Sequence, residues 1–461
     1  MKPVIFVNGL IVSDGFRFIG SVVANGWMIK SVDMGRVDIR TIDRDVYEVV
    51  NCEGKFVLPG MIDEHVHFRD PGLTEKGDIA TESRAALAGG VTSFFDMPNT
   101  SPQTTTIEAW EQKMQRAAQA SAANYAFFLG ATNNNLDQIL AADYTRIPGV
   151  KLFMGSSTGG MLVDNDDTIV KLFRNFHRVI ACHAESEAVI AANRQRLSAM
   201  YPGGIPLECH SSVRSARACF ESTAHAVKLA RATGARLHVM HITTAEELQL
   251  FSSGGISGKR ITAETCPHYL CFTDKSVAET NGLTKCNPAI KTDDDRRELL
   301  RAVADGRIDV VATDHAPHLL SQKQGNALTA ASGMPSVQFA LPVMMTLAGR
   351  GYFTLEDVVE RMASAPAKLY GVSRRGFIRQ QYSADIVIVD PDADYTVDRA
   401  DVISACGWSP YEGMRLRYRV EQTWVNGQQA YVDGRFTGRQ TACPCASMSE
   451  FPQLPTFRFL I

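Results

Sequence analysis

Apolar and polar residues alternate in short segments near both ends of the chain. Segments with this period of two run over Pro3–Asn8, Gly20–Ala24 and Trp27–Val32, and turn sequences such as Asn-Gly lie between them. Similar segments return at Ala384–Asp390 and Thr423–Gly427. These patterns predict one small β-sandwich that is assembled from both chain ends.

The middle of the chain alternates apolar, strand-like runs with amphipathic helical patterns. Eight strand candidates follow one another: Phe56–Phe68, Val91–Pro98, Asn124–Leu129, Val150–Met154, Val179–Ala184, Arg236–Ile242, Arg260–Cys266 and Asp309–Thr313. Helical patterns lie between them over Asp78–Ala88, Thr106–Ala118, Ser212–Ala232 and Ala245–Phe251. Eight alternations predict a (β/α)8 barrel, whose catalytic residues collect at the carboxyl ends of the strands.

Together, the patterns predict the α/β fold class and a division of the chain into four parts. We expect sandwich strands over residues 1–55, the barrel over 56–370, further sandwich strands over 371–440 and a tail over 441–461. The length of 461 residues is large for one domain but fits a barrel with an accessory domain.

Composition and charge exclude several classes of protein. The formal net charge is only −3 and no long basic run occurs, so a nucleic-acid partner has no electrostatic support. No apolar run approaches the roughly 20 residues that span a bilayer, and no signal-peptide pattern is present, so we expect a cytoplasmic protein without a membrane partner. The ten cysteines are expected to be free thiols, and the Cys443-Pro444-Cys445 pair is interpreted as incidental.

The first strand candidate ends in a motif whose residue types can bind a metal ion and an anion. This motif is Asp63-Glu64-His65-Val66-His67-Phe68-Arg69-Asp70-Pro71-Gly72. On a strand, His65 and His67 share one face about 7 Å apart, so both imidazoles can converge on one metal ion. Arg69 has the same parity and can pair with a carboxylate through two hydrogen bonds. The His-X-His pattern also occurs in ordinary strands, so this pattern alone leaves a structural role for both histidines open.

Further ligand types lie at or near the predicted ends of four other strands: Lys151, His183, His241 and Asp314. Imidazole and carboxylate groups are zinc ligands, and two zinc ions a few Å apart can share a hydroxide nucleophile. His238 and His241 are three residues apart, so they face opposite sides of a regular strand. We therefore choose His241 as the ligand and expect His238 to face the helix layer in a structural role.

The motifs His65–Gly72, Met97–Thr100 and Ala312–His318, together with the separate ligand candidates, resemble those of the cyclic amidohydrolases, and most closely those of the dihydroorotase family. The resemblance implies two zinc ions per chain, held by six side chains: His65, His67, Lys151, His183, His241 and Asp314. His65, His67 and Asp314 would bind one ion, and His183 and His241 would bind the other. The resemblance also implies that Lys151 is carboxylated by carbon dioxide and bridges the ions. Asp314 would act as general base and acid.

The implied reaction is the reversible cyclisation of N-carbamoyl-L-aspartate to L-dihydroorotate in pyrimidine synthesis. The implied contacts to the substrate are Arg69, Asn99, Asn287 and His318. Dihydroorotate carries a free carboxylate and allantoin does not, so a buried Arg favours the former. Since the Thr265–Leu270 segment resembles allantoinases equally well, allantoinase or another cyclic amidase stays the alternative.

One segment departs from this resemblance. Many dihydroorotases have a Gly-rich loop where this chain has Ala331–Ser336, and Pro335 cannot donate an N–H there. Some dihydroorotases also carry Asp where this chain has Lys151. A non-catalytic scaffold of the same fold is a second alternative, although such a relative would lack one or more ligands. The expected partner is a small-molecule substrate, and a homodimer is the assembly considered.

Overall fold

The computed structural model describes residues 2–155, 161–438 and 442–445. Most of the predicted tail over 441–461 therefore lies outside the described residues. The strands are β1 Val4–Ser13, β2 Phe16–Asn25, β3 Met28–Met34, β4 Glu48–Asn51, β5 Phe56–Pro59, β6 Met61–Val66, β7 Val91–Asp96, β8 Asn124–Phe127, β9 Leu129–Gly130, β10 Gly149–Phe153, β11 Val179–His183, β12 Arg236–Val239, β13 Ile261–Thr265, β14 Val310–Val311, β15 Ile386–Asp390, β16 Tyr395–Thr396, β17 Arg415–Leu416, β18 Arg419–Val425, β19 Gln428–Val432 and β20 Arg435–Phe436.

The α-helices lie mainly between the central strands. They are α1 Ile79–Ala88, α2 Ile107–Ala120, α3 Leu136–Ala141, α4 Asp166–Asn175, α5 Glu187–Met200, α6 His210–Val213, α7 Ala216–Thr233, α8 Pro267–Cys271, α9 Ser276–Glu279, α10 Asp293–Asp305, α11 Ala340–Gly349, α12 Leu355–Val359 and α13 Ala365–Tyr370. No helix in the described part of the chain is long and apolar enough to cross a membrane.

Strands from both ends of the chain share one sheet. Within the described residues its order is β20-β19-β18-β15-β5-β1-β2-β3, and β4 pairs with β1. The β15 and β5 strands are antiparallel neighbours, with Ile386 opposite Pro59. The two ends of the sequence therefore build one structural unit, since β15 and β18 to β20 follow the central strands by sequence and β1 to β5 precede them.

The central strands are parallel and follow one another in sequence order. Strands β6, β7 and β8 form one set, and β9 to β14 form the other. The first and last strands also meet, because Val66 forms a parallel bridge with His315 and the His67 N–H donates to the His315 carbonyl at 2.7 Å. The carboxyl ends of all these strands consequently face the same edge, where the predicted ligands follow them.

The predicted strand Phe56–Phe68 is wrong as one element, because it is divided between two sheets. Strand β5 pairs with β1 and β15, whereas β6 pairs with β7. The chain changes sheets at Gly60, whose N–H donates to the Asp385 carbonyl at 2.9 Å. A side chain at this position would collide with Thr92, so the close approach requires glycine.

The two faces of the parallel strands are buried in different surroundings. Leu237 and Val239 of β12 pack in one cluster with Ala226 and Val227 of α7, so this face contacts the helices. Met240 belongs instead to a cluster with residues of the other strands, including Ala181 and Ala312. The second face is therefore enclosed by the strands themselves.

The ten cysteines are free thiols, as the sequence predicts. The Cys443–Cys445 segment is not incidental to packing, however. Tyr125 of β8 donates its N–H to the Cys443 carbonyl at 3.2 Å, and its carbonyl accepts from the Cys445 N–H at 2.8 Å. The segment thus extends the pairing of β8, and the Cys445 side chain is buried in the strand-enclosed cluster.

Candidate active site

Three predicted ligands converge at the carboxyl ends of β6 and β14. The Nε2 atoms of His65 and His67 lie 3.3 Å and 3.1 Å from Asp314 Oδ1. All three side chains are at least nine-tenths buried, and their donor atoms could hold a metal ion. Burial opposes the ionisation of Asp314, but the neighbouring His65 and His67 outweigh it and hold the pKa of that carboxyl well below its usual range.

A second pair of predicted ligands lies beside the first group. His183, the last residue of β11, places Nδ1 2.9 Å from Nε2 of His241. The other ring nitrogen of His183 lies 3.1 Å from the buried carboxylate of Glu185. Burial lowers the pKa of both histidines, so the neutral imidazole, which is the form that binds metals, is favoured at each position.

Lys151 lies between these two groups, on β10. Its ammonium is fully buried, 2.6 Å from the Met240 sulfur and 4.8 Å from the centre of the Phe153 ring. Neither neighbour can neutralise a positive charge. Burial lowers the pKa of Lys151, and a neutral amine is the form that can react with carbon dioxide.

Arg69 reaches the site from a turn rather than from the strand, since β6 ends at Val66 and Arg69 has a φ of 67°. Its Nε donates to the Pro317 carbonyl at 3.2 Å, and its Nη2 lies 3.2 Å from Nε2 of His318. Burial lowers the pKa of Arg69 to about 10, so the guanidinium stays charged at neutral pH. Within the described residues it has no carboxylate partner in an ion pair.

His318 lies against Arg69 and not on the wall of the cavity. Burial, followed by the positive charge of Arg69, lowers the pKa of His318 to about 2. The ring is therefore neutral at physiological pH, and Nε2 can accept a hydrogen bond from the guanidinium. The Trp408 indole N–H donates to the His318 carbonyl at 2.7 Å and holds this segment in place.

Asn99 and Asn287 are the other two predicted substrate contacts, and both line the cavity. Asn99 Oδ1 lies 2.8 Å from Nδ1 of His67. If His67 uses Nε2 for a metal, its Nδ1 carries the proton, so Asn99 must present its oxygen to His67 and its amide NH2 to the cavity. Asn287 has a buried Oδ1 without a hydrogen-bond partner among the described residues.

A cavity of about 70 Å³ joins these groups at the carboxyl ends of the strands. Its wall contains every predicted metal ligand and three of the four predicted substrate contacts, along with Phe153, Ala316, Ser332 and Gly333. The structure therefore brings together residues from six separate strand ends. His318, the fourth predicted substrate contact, is not among these lining residues and lies against Arg69.

The Ala331–Ser336 segment is held by two buried lysines. Lys323 donates to the carbonyls of Ala331 and Gly333 at 2.9 Å and 2.7 Å, and Lys285 donates to the Ser332 hydroxyl at 2.8 Å. Ser332 and Gly333 line the cavity, whereas Pro335 does not. The missing N–H of Pro335 thus removes no donor from the cavity wall.

The prediction that His238 faces the helix layer is wrong. Leu237 and Val239 occupy the helix-packed face, so His238 points to the enclosed face, where its Nε2 lies 2.7 Å from Glu64 Oε1. Its Nδ1 lies 2.8 Å from the Thr262 hydroxyl. The strand ends at Val239, and His241 has a φ of 43°, so simple alternation does not apply to both histidines.

Two carboxylates of the site were missed from the sequence. Glu264 of β13 lies 2.9 Å from Nδ1 of His65, and Glu185 lies beside His183 and forms an ion pair with Arg214. Both carboxylates are completely buried. A charged residue in an apolar strand is a signal of this kind of role, because a buried carboxylate requires a partner.

Comparisons with known proteins agree with the motifs. The amidohydrolase family model matches residues 56–430. The chain is 34% identical over 401 residues to an allantoinase from Bacillus velezensis, covering 85% of this chain and 87% of the relative. It is also 34% identical over 384 residues to a dihydroorotase from Halobacterium salinarum, covering 83% and 88%.

Among solved structures, the L-hydantoinase (dihydropyrimidinase) from Arthrobacter aurescens superposes with a TM-score of 0.91 at 27% identity, covering 97% of this chain and all of the other. The relatives carry different names, so they support the family more strongly than one substrate. The resemblance noted in the sequence is confirmed at this level. With a family match over most of its length and relatives at 34% identity, this chain belongs to the amidohydrolase family.

Proposed function

We propose that the protein is a dihydroorotase, which catalyses the reversible cyclisation of N-carbamoyl-L-aspartate to L-dihydroorotate with loss of water. The observation that carries the proposal is the buried Arg69 guanidinium on the cavity wall, without a carboxylate partner in the described chain. A buried cation of this kind is costly unless an anion completes it. The carboxylate of dihydroorotate supplies that anion, whereas allantoin has none.

The geometry around Arg69 supports recognition of a planar anion. Nε and Nη2 are fixed by Pro317 and His318, which leaves the other guanidinium N–H groups to pair with a carboxylate. Asn99 and Asn287 would bind the same substrate through their side-chain amides. In this proposal His318 acts indirectly, because it fixes the orientation of the arginine.

The donor set fits two zinc ions. His65, His67 and Asp314 would hold one ion, His183 and His241 would hold the other, and Lys151 would bridge them once it is carboxylated. Carboxylation would replace a buried cation by an anion, which removes the unfavourable burial of the ammonium. When bound, the ions would lower the pKa of a water nucleophile and polarise the amide carbonyl.

The chain's own residues provide the proton transfer and the substrate orientation. Asp314 is held ionised, so in the hydrolytic direction it can accept a proton from the attacking water and deliver it to the leaving ring nitrogen. In the direction of ring closure it takes the proton from the carbamoyl nitrogen and delivers it to the carboxyl oxygen that leaves as water. Arg69 fixes the substrate carboxylate, so that the ring amide is directed toward Asp314.

Further proposals concern the fold, the location and the assembly of the protein. The ordered parallel strands and the bridge from Val66 to His315 support a closed (β/α)8 barrel over residues 56–370. The shared terminal sheet supports an accessory β-sandwich built from residues 1–55 and 371–440. The cytoplasmic location and the homodimer stay predictions.

A substrate comparison tests the proposed function directly. We expect kcat/KM for dihydroorotate to exceed that for allantoin and for hydantoin by roughly 10²–10³-fold, because an unpaired buried charge costs about 2–5 kcal/mol. All three rates are measured on one zinc-loaded preparation by following ring opening. Faster turnover of allantoin would make allantoinase the better assignment. A purified chain that takes up no stoichiometric zinc when zinc is supplied, and turns over none of the three compounds, would support the scaffold alternative.

Replacement of Lys151 tests the bridging ligand. Lys151→Ala should lose activity and at least one zinc ion per chain, and a short carboxylic acid added in solution should restore part of the turnover. Metal content by mass spectrometry and turnover are measured together. The matched control is Lys259→Ala, which removes a buried lysine that pairs with Asp309 and does not line the cavity. Full zinc content and a normal rate in Lys151→Ala would contradict the assignment.

A further inference from the structure

One carboxylate oxygen contacts two of the predicted ligand residues at once. Glu264 Oε1 lies 2.9 Å from His65 Nδ1 and accepts the backbone N–H of His241 at 3.0 Å. The side chain is completely buried on β13, which lies between β12, the strand before His241, and β14, the strand before Asp314. His65 and His241 belong to different metal positions in the proposed centre. Glu264 therefore has a contact with each half of that centre.

The contact with His65 determines which ring nitrogen is available. A neutral imidazole carries one proton, and an acceptor at Nδ1 holds that proton there. The free electron pair is then on Nε2, the atom that lies 3.3 Å from Asp314 Oδ1. A carboxylate on the opposite nitrogen also makes a metal-binding imidazole more basic. Glu264 thus favours the tautomer of His65 that can bind metal.

The contact with His241 determines the direction of its side chain. His241 has a φ of 43°, which is uncommon for residues other than glycine, and it lies just beyond the end of β12 at Val239. Glu264 fixes this conformation twice, because its side chain accepts the N–H of His241 and its carbonyl accepts the N–H of Ile242 at 2.7 Å. The conformation places His241 Nε2 2.9 Å from His183 Nδ1.

A buried polar group formed by His238, Glu64 and Tyr370 lies next to Glu264. The second oxygen of Glu264 lies 3.9 Å from His238 Nε2, and that nitrogen lies 2.7 Å from Glu64 Oε1. The hydroxyl of Tyr370 donates to the other oxygen of Glu64. Oε1 of Glu264 makes both contacts with the ligand residues, whereas its second oxygen has no hydrogen-bond partner among the described residues.

We propose that Glu264 is a positioning residue that organises both metal positions of the proposed centre, through the His65 ring at one and the His241 backbone at the other. The inference rests on the proposed function, since it concerns the same metal centre. It differs from the ligand assignment because Glu264 does not line the cavity that the six predicted ligands share, and it would act through His65 and His241.

Zinc affinity, measured without any turnover, tests this role. Glu264→Leu and Glu264→Gln are prepared metal-free, and zinc binding is measured by competition with a chromophoric chelator. We expect Glu264→Leu to bind zinc roughly 10–100-fold more weakly at both positions. Glu264→Gln should lose less, because its amide oxygen can still accept both hydrogen bonds. If the leucine variant does not fold, the glutamine variant is compared with the parent in the same way.

Glu247→Gln is the matched control. Glu247 is a completely buried carboxylate that accepts hydrogen bonds from the hydroxyls of Thr223 and Thr244 at 2.7 Å and 2.8 Å, and it does not line the cavity. Its replacement should leave zinc affinity unchanged, even if the thermal unfolding temperature of the metal-free protein falls. Equal loss of affinity in the control would show that general destabilisation is responsible and would overturn the inference.

The remaining outcomes separate this inference from the proposed function. Parent protein that binds two zinc ions, together with Glu264 variants that bind them equally well, would overturn the positioning role alone. Loss at only one of the two positions would also overturn it, because the proposal requires a shared effect. Parent protein that binds no zinc would overturn the proposed metal centre, and the role of Glu264 with it.

Discussion

Asp314→Asn is expected to reduce kcat by roughly 10²–10⁴-fold while the protein stays folded and keeps much of its metal. Asparagine preserves the shape of the side chain and one oxygen, but it cannot accept the proton that the reaction transfers. The ionised carboxylate is supported by His65 and His67, so the change removes a base that is in its reactive form. The measurement is kcat under saturating substrate, with zinc content determined on the same sample.

Asp309→Asn provides the control for Asp314→Asn, since both residues flank β14. Asp309 is buried at the opposite end of the strand, where it pairs with Lys259 and accepts the Ala263 N–H. Its replacement should lower stability and leave kcat of the folded enzyme within a few-fold of the parent. A near-normal kcat for Asp314→Asn would assign the general base to another residue.

The convergence of the predicted metal ligands could be anticipated because local geometry determines much of their arrangement. His65 lies near the end of β6 and His67 directly after it, and the Nε2 atoms of both reach the same oxygen of Asp314. The parallel order of the strands then brings Lys151 of β10, His183 of β11 and Asp314 after β14 to one edge. Neither step needs information about distant side-chain contacts.

Arg69 was expected at the site for a reason that only partly holds. Alternation along the strand predicted its position, but β6 ends at Val66 and Arg69 adopts a positive φ in the following turn. The side chain reaches the cavity because Pro317 and His318 hold the guanidinium. The sequence motif identified the residue, whereas the backbone path depends on contacts 248 and 249 residues away along the chain.

The error at His238 and the omission of Glu264 have a common physical origin. Alternation assumes a regular strand, and β12 ends before His241, which takes a left-handed conformation. That conformation is fixed by Glu264, from the neighbouring strand. The partner of Glu264, His65, is 199 residues away in sequence, so no local pattern relates the two. The conformation of His241 and the role of Glu264 therefore depend on tertiary hydrogen bonds, which hydrophobic period and residue spacing do not reveal.

The substrate assignment depends most strongly on Arg69, and its replacement should have the clearest effect on specificity. Arg69→Ala should lower kcat/KM for dihydroorotate by roughly 10²–10³-fold, because the substrate carboxylate loses a buried, charge-assisted contact. Arg69→Lys keeps the charge but not the planar pair of donors, so its loss should be smaller yet still marked. Both variants should bind zinc as the parent does, since Arg69 lies outside the ligand set.

Hydantoin and a second arginine make this result specific to the carboxylate contact. Turnover of hydantoin, which lacks the carboxylate, should be slow in the parent and should fall little further in the variants. Arg116→Ala is the matched control. Arg116 pairs with Asp70, the residue after Arg69, but does not line the cavity. That variant should keep nearly the full rate on dihydroorotate. If Arg69→Ala also kept it, the anion site would not exist, and an uncharged cyclic amide such as allantoin would become the better substrate assignment.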